Sequence, residues 1–288
     1  MAPTLKIGLR CTNLVLVLQR SFSALNRPIR KAAPNDRRQV LVFRLVMPPF
    51  PIEKAPASQA PVQFMKPRNT VARTESCTQL TLDLIEHDGR HFLECEGRQV
   101  DGSNLGHAAR KLVELMSRPF RPARQPRLVF LGLGMGHAIK AAREALPQEK
   151  SSFIVLPESP ELAGWLSTHL SEDPLDDERV HLDNINPFSP LPAAYAGSQG
   201  IFADLDHLEA LAPKDWKITS PQVLSNFQER LKAGGLLGLI STRPVAGLEK
   251  ELRKAGFDIA TDLAPLSEKS KKNRTLYLAR KGHYQRTH

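Results

Sequence analysis

The chain has 288 residues, 41% hydrophobic and 24% charged, with a net charge of +10, enough for one large domain or two modest ones and incompatible with a wholly disordered polypeptide. Its longest apolar run, Leu14 to Leu18, falls far short of the roughly 18 to 20 residues of a membrane-spanning helix, so no membrane partner is expected. Three separated cysteines, Cys11, Cys77 and Cys95, cannot build a disulfide framework or a zinc ribbon and point to a reducing, cytoplasmic setting.

The positive charge is lopsided. Residues 1–76 hold 13 Lys and Arg against 3 Asp and Glu, and 9 of the 23 prolines, whereas residues 77–288 hold 27 of each sign. Without a sustained period of 2 or 3.6, residues 1–76 read as a basic, Pro-rich extension with no fold of its own. Three accounts of it stay open: an organelle-targeting peptide, which would make the protein organellar; a tail touching nucleic acid through phosphates; or upstream sequence preceding a true start at Met65. Its cations are not interleaved with aromatics, so nucleic acid is not expected as a partner.

Residues 77–125 form a small β element plus a helix. Leu80, Leu82 and Leu84 alternate, Asp88-Gly89 marks a hairpin turn, and Phe92, Leu93 and Cys95 follow. Residues 106–117 have helical spacing and stop before Pro119.

From residue 126 to 288, strands alternate with helices, the pattern of a doubly wound, Rossmann-like α/β sheet. Strands are expected at 128–131, 153–156, 201–203 and 236–240, then at 257–260 and 275–279. Helices are expected at 138–146, 162–170 and 222–231, with Gly234-Gly235 closing the last of them. The basic run 269–274 reads as a solvated loop between the two final strands.

The densest chemical signal is Leu131-Gly132-Leu133-Gly134-Met135-Gly136-His137, between a strand and a helix. Glycines at alternate positions permit a tight turn and close approach of a nucleoside, G-x-G-x-G suiting S-adenosyl nucleosides better than dinucleotides. The bland alternative is a tight strand-to-helix turn with no ligand. Nothing follows that would make a P-loop, and His87 and His91 flank a turn, so no metal is expected.

Together with residues 174–180, Ala203-Asp204-Leu205-Asp206, Ser220-Pro221, and Leu231-Lys232-Ala233-Gly234-Gly235, this loop resembles the spermidine synthase-like branch of the class I S-adenosylmethionine-dependent transferases, over about residues 78–281. The resemblance implies a methyltransferase-type sheet preceded by a small β element, and a site for S-adenosylmethionine or decarboxylated S-adenosylmethionine built from Gly132, Gly134, Gly136, Glu158 and Asn186. It implies Asp204 as the base that keeps an attacking amine neutral, Asp206 and His107 on the amine substrate, no metal, and a homodimer. Asp204 can equally be a cap or turn residue.

The sequence departs from the family at three positions: Met135 stands where the loop carries an acid, Pro157 where the second strand ends in one, and Ile185-Asn186 where adenine meets Gly-Asp. These departures count against carrying the activity across, but by the resemblance aminopropyl transfer to an amine is the leading expectation. Methyl transfer to a small molecule and a catalytically degenerate homologue acting as an oligomeric binding protein are the alternatives.

Overall fold

The computed structural model describes residues 67–282; Met65 and most of the basic extension lie outside them. Four antiparallel strands come first, β1 (Asn69–Glu75), β2 (Thr81–His87), β3 (Arg90–Cys95) and β4 (Arg98–Gly102), in the order β1-β2-β3-β4. The Asp-Gly turn joins β2 to β3 as expected, both turn residues having positive φ, 54° at Asp88 and 70° at Gly89. Leu82 pairs with Cys95 and Leu84 with Leu93, and all four are buried.

The small element is larger than the sequence suggested, because β1 falls within the expected extension and β4 adds a fourth strand. β1 is an edge strand in which no residue is fully buried, so it lacks the apolar alternation that announces a strand.

Helix α1 (His107–Ser117) leads into a seven-stranded sheet made of β5 (Arg127–Leu131), β6 (Ser152–Leu156), β7 (Val180–Leu182), β8 (Ser198–Asp204), β9 (Leu231–Ser241), β10 (Phe257–Pro265) and β11 (Asn273–Lys281). Their order is β10-β11-β9-β8-β5-β6-β7. The five strands from β9 to β7 are mutually parallel, and β11 runs antiparallel between β9 and β10. The connecting helices are α2 (His137–Ala145), α3 (Pro160–His169), α4 (Leu205–Leu211), α5 (Pro221–Arg230) and α6 (Leu248–Lys254).

Side chains alternate across this sheet and separate its core into two slabs. Leu128, Phe130, Phe153, Val155 and Phe202 pack with α1, α2, α3 and the small sheet. Val129, Leu131, Ile201, Ala203, Leu237 and Leu239 pack with α4, α5 and α6.

Gly234-Gly235 does not close a helix. Strand β9 already begins at Leu231, and its pairing with β8 jumps from Ser198–Leu231 to Gly200–Leu236, so the glycines carry a bulge in the strand. The 3-residue β7 and 7-residue α4 and α6 are too short to set up a period and were not expected. Arg274 is not in the solvated loop: it lies on β11 and is 6% exposed.

At the other side of the sheet, Gly238 lies on β9 where an added Cβ would run into the Met116 thioether of α1. Gly238→Ala should therefore overpack the α1 slab and cost about 1 to 3 kcal/mol, seen as a lower thermal midpoint. Combining it with Met116→Ala should recover part of that loss.

Candidate functional site

In a doubly wound sheet, ligands bind at the carboxyl ends of the strands where the strand order reverses. Here that point lies between β5 and β8, which pair side by side while the chain winds outward in both directions. The crevice is lined by Asp101, Gly132, Gly134, Asp204, His207 and Arg274, among others.

The glycine loop has the shape the sequence called for, with positive φ at Gly132 (93°), Gly134 (52°) and Gly136 (75°). Gly136 closes the turn, donating to the Leu133 carbonyl at 3.0 Å, and caps α2. What the loop holds is its own protein. The Glu158 carboxylate, fully buried, accepts from the Leu133 N–H at 2.9 and 3.0 Å and from the Gly134 N–H at 3.2 Å. Asp101 of β4 accepts from the Met135 N–H at 2.8 Å.

A Cβ at Gly132 would meet Glu158 Oε1 at 2.7 Å, one at Gly134 would meet Asp101 Oδ2 at 2.7 Å, and one at Gly136 would strike Pro174. Every glycine is thus required by a neighbour in the same chain. The crevice keeps about 30 Å³ of free volume, room for a water and far below the roughly 300 Å³ at which small-molecule pockets begin. In this arrangement an S-adenosyl group could enter only if the Glu158 and Asp101 side chains moved off the loop N–H groups.

Glu158 is paired with His207 through Nε2, and His207 is 4% exposed. Burial opposes protonation of His207, but the charge and hydrogen bond of Glu158, with Asp101 and Asp204 behind it, carry the imidazole up to about 9. For Glu158, burial favours the neutral acid, and the charge and hydrogen bond of His207, together with the Leu133 N–H, more than offset it and hold the carboxyl below its ordinary value.

Asp204 lies at the end of β8 and lines the crevice, but its carboxylate is engaged. Oδ1 caps α4, accepting from the Asp206 N–H at 3.1 Å and the His207 N–H at 3.4 Å. Both carboxylate oxygens also accept from the Arg274 guanidinium, one at 2.7 Å. Burial opposes the charge on Arg274, but Asp204 and Asp206 outweigh it and hold the guanidinium more firmly protonated than usual. Asp206 accepts from Arg274 at 2.7 Å, from the Thr242 N–H at 2.6 Å and from the Ser241 hydroxyl at 3.2 Å.

The other expected site residues, Asn186 and His107, make contacts of their own. Asn186 Oδ1 accepts from the Phe188 N–H at 2.9 Å and the Cys77 thiol at 3.6 Å. His107, the first residue of α1, lines a separate groove with Arg110, Lys111 and Glu144. Among the described residues, no group of three or more His, Cys, Asp or Glu side chains is placed to hold a metal ion, and no helix is long and apolar enough to cross a membrane.

Sequence reading missed Asp101, His207 and Arg274. His207 follows Asp204 by three residues, one turn of a helix that was not foreseen. Arg274 shares the alternation of Leu276 and Leu278 on β11, the one signal that could have set it apart from the lysines before it. Asp101 had no distinguishing signal.

No family model and no curated protein matches the sequence. Among solved structures, spermidine synthase from Thermotoga maritima is similar at 15% identity and a TM-score of 0.54, covering 74% of this chain and 73% of that one. A spermidine synthase in complex with the transition state analogue AdoDATO gives 14% identity, 0.53, and 74% and 72% coverage. A probable spermidine synthase from Corynebacterium glutamicum gives 16%, 0.50, and 73% and 79%. At these identities the likeness is one of fold: the chain has a spermidine synthase-like fold, with an antiparallel sheet ahead of the mixed one.

The ion pair makes stability depend on pH. The raised His207 contributes fully below its unfolded value of 6.5 and loses that contribution as pH climbs through about 9. The lowered Glu158 contributes above 4.5 and loses it as pH falls. The thermal midpoint attributable to the pair should therefore be flat between those values and decline on the alkaline side. His207→Gln should flatten that alkaline decline, measured as the difference from wild type at each pH.

Proposed function

We propose that this protein is a catalytically degenerate member of the spermidine synthase-like fold that works as a binding protein and not through aminopropyl transfer. The observation that carries the reading is the fork between Arg274 and Asp204. A base for an attacking amine must have a carboxylate oxygen free to take a proton, and an acceptor polyamine is itself a cation drawn to that acid. Arg274 is a built-in cation at that position, 6% exposed, and an amine would have to displace a charge-assisted pair from a largely dry site. The filling of the glycine loop by Glu158 and Asp101 points the same way.

A second reading, an S-adenosyl transferase acting on an amine or donating methyl to a small molecule, is favoured by one feature. Glu158 already reaches the glycine loop from the end of the second parallel strand, where an acid would grip ribose hydroxyls. In that case the nucleoside must enter by turning Glu158 away from the Leu133 and Gly134 N–H groups.

Calorimetric titration with S-adenosylmethionine, its decarboxylated form and methylthioadenosine separates the two. The expected result is no heat of binding for any of them at millimolar concentration. Saturable binding of a donor, followed by turnover that Asp204→Asn abolishes, would overturn the proposal.

If Asp204 and Arg274 are structural, Arg274→Ala should lower stability by about 2 to 4 kcal/mol in denaturant unfolding. That is below the full cost of breaking a buried pair because Asp206 stays about a third open to water.

A further inference from the structure

The end of the sheet away from the crevice carries a second feature. Helix α1 runs out into Arg118-Pro119-Phe120-Arg121-Pro122-Ala123-Arg124-Gln125-Pro126-Arg127, with arginine at every third position and three prolines between. From Leu115 to Arg143 the chain has no Asp or Glu and six Lys and Arg.

The segment is fastened at both ends. Residues 118–120 form one 3-10 turn whose Phe120 is 3% exposed. The Ala123 N–H donates to the Phe120 carbonyl at 2.9 Å, the Gln148 amide donates to the Ala123 carbonyl at 3.2 Å, and the Arg127 N–H donates to Gln199 at 2.8 Å. Lys232 of β9 adds a cation 5.1 Å from the centre of the Phe120 ring. Arg118, Arg121 and Arg124 are exposed. Among the described residues no carboxylate forms an ion pair with Arg121, Arg124 or Lys232, although Arg121 also borders the groove that holds Glu114, Glu144 and Glu268, and the partner of Arg118 is Glu114, an exposed pair one helical turn away.

We infer that this ledge binds the phosphate backbone of duplex nucleic acid, without reading its sequence. Arginine forks suit phosphate oxygens, and cations held on a Pro-stiffened loop lose little freedom on binding. Among the described residues the large exposed apolar side chains are Val71, Leu182 and Leu263, and none is on the ledge. It thus lacks the apolar centre of a protein interface and the anchors that enter a lipid surface. With Phe120 buried there is no exposed ring on which single-stranded bases could stack.

The expectation of no nucleic-acid partner rested on the cations of residues 1–76 and did not concern this ledge. The ledge lies at the start of β5, and the glycine loop follows the end of the same strand, so the inference stands whether or not the crevice does chemistry.

The test uses the full chain and a fluorescent DNA duplex of about 20 base pairs, with binding followed by anisotropy as salt rises from about 50 to 200 mM. Arg121→Ala/Arg124→Ala should weaken binding at low salt about tenfold or more and reduce the slope of log affinity against log salt by about 2. The pair Lys269→Ala/Lys271→Ala removes the same charge from the β10–β11 loop and should leave both nearly unchanged. Circular dichroism should show the same thermal midpoint for the ledge variant as for wild type. The inference is overturned if wild type does not bind the duplex, if the two pairs lose affinity equally, or if the ledge variant loses binding only to phosphatidylserine vesicles.

Discussion

The arrangement around the crevice follows from one constraint, the complete burial of the Glu158 carboxylate. An unpaired charge in that setting would cost several kcal/mol, so each oxygen must find donors. The donors are the N–H groups of the turn that the glycines shape, and a histidine one helical turn past the end of β8. This single requirement accounts for the positive φ of the loop, for the absence of a Cβ at Gly132, and for the protonation of His207.

The same logic governs the rest of the crevice. Asp101 reaches in from β4 and takes the next N–H of the loop, and Arg274 reaches in from β11 to neutralise Asp204 and Asp206. Acids and cations arrive from different elements and pair with one another. Two nitrogens that face this cluster, His207 Nδ1 and Arg274 Nε, are buried without a hydrogen-bond partner.

The small N-terminal sheet is tied to this core by hydrogen bonds from its backbone and side chains. The Cys77 N–H donates to the Glu158 carbonyl at 2.7 Å, the Thr78 hydroxyl donates to the Leu211 carbonyl at 2.7 Å, and the His137 ring lies 2.9 Å from the Gly102 carbonyl. Movement of β4 would pull directly on the loop through Asp101. The small sheet, α1 and the glycine loop therefore form one mechanical unit, with the crevice at one end of the sheet and the arginine ledge at the other.

The sequence alone determined the elements whose signals are local. The apolar strands β5, β6 and β8, the Asp-Gly hairpin and the glycine turn are each specified by residues within a few positions of one another, because period, turn chemistry and φ preference act over that range. The ordered motifs extended this to the architecture. Only the tertiary structure decided what the crevice holds, since the Glu158–His207 contact spans 49 positions and the Asp204–Arg274 contact 70. An acid after a strand reads the same in sequence whether it faces a substrate or a buried arginine. The difference lies in which distant cation the folded sheet brings to it.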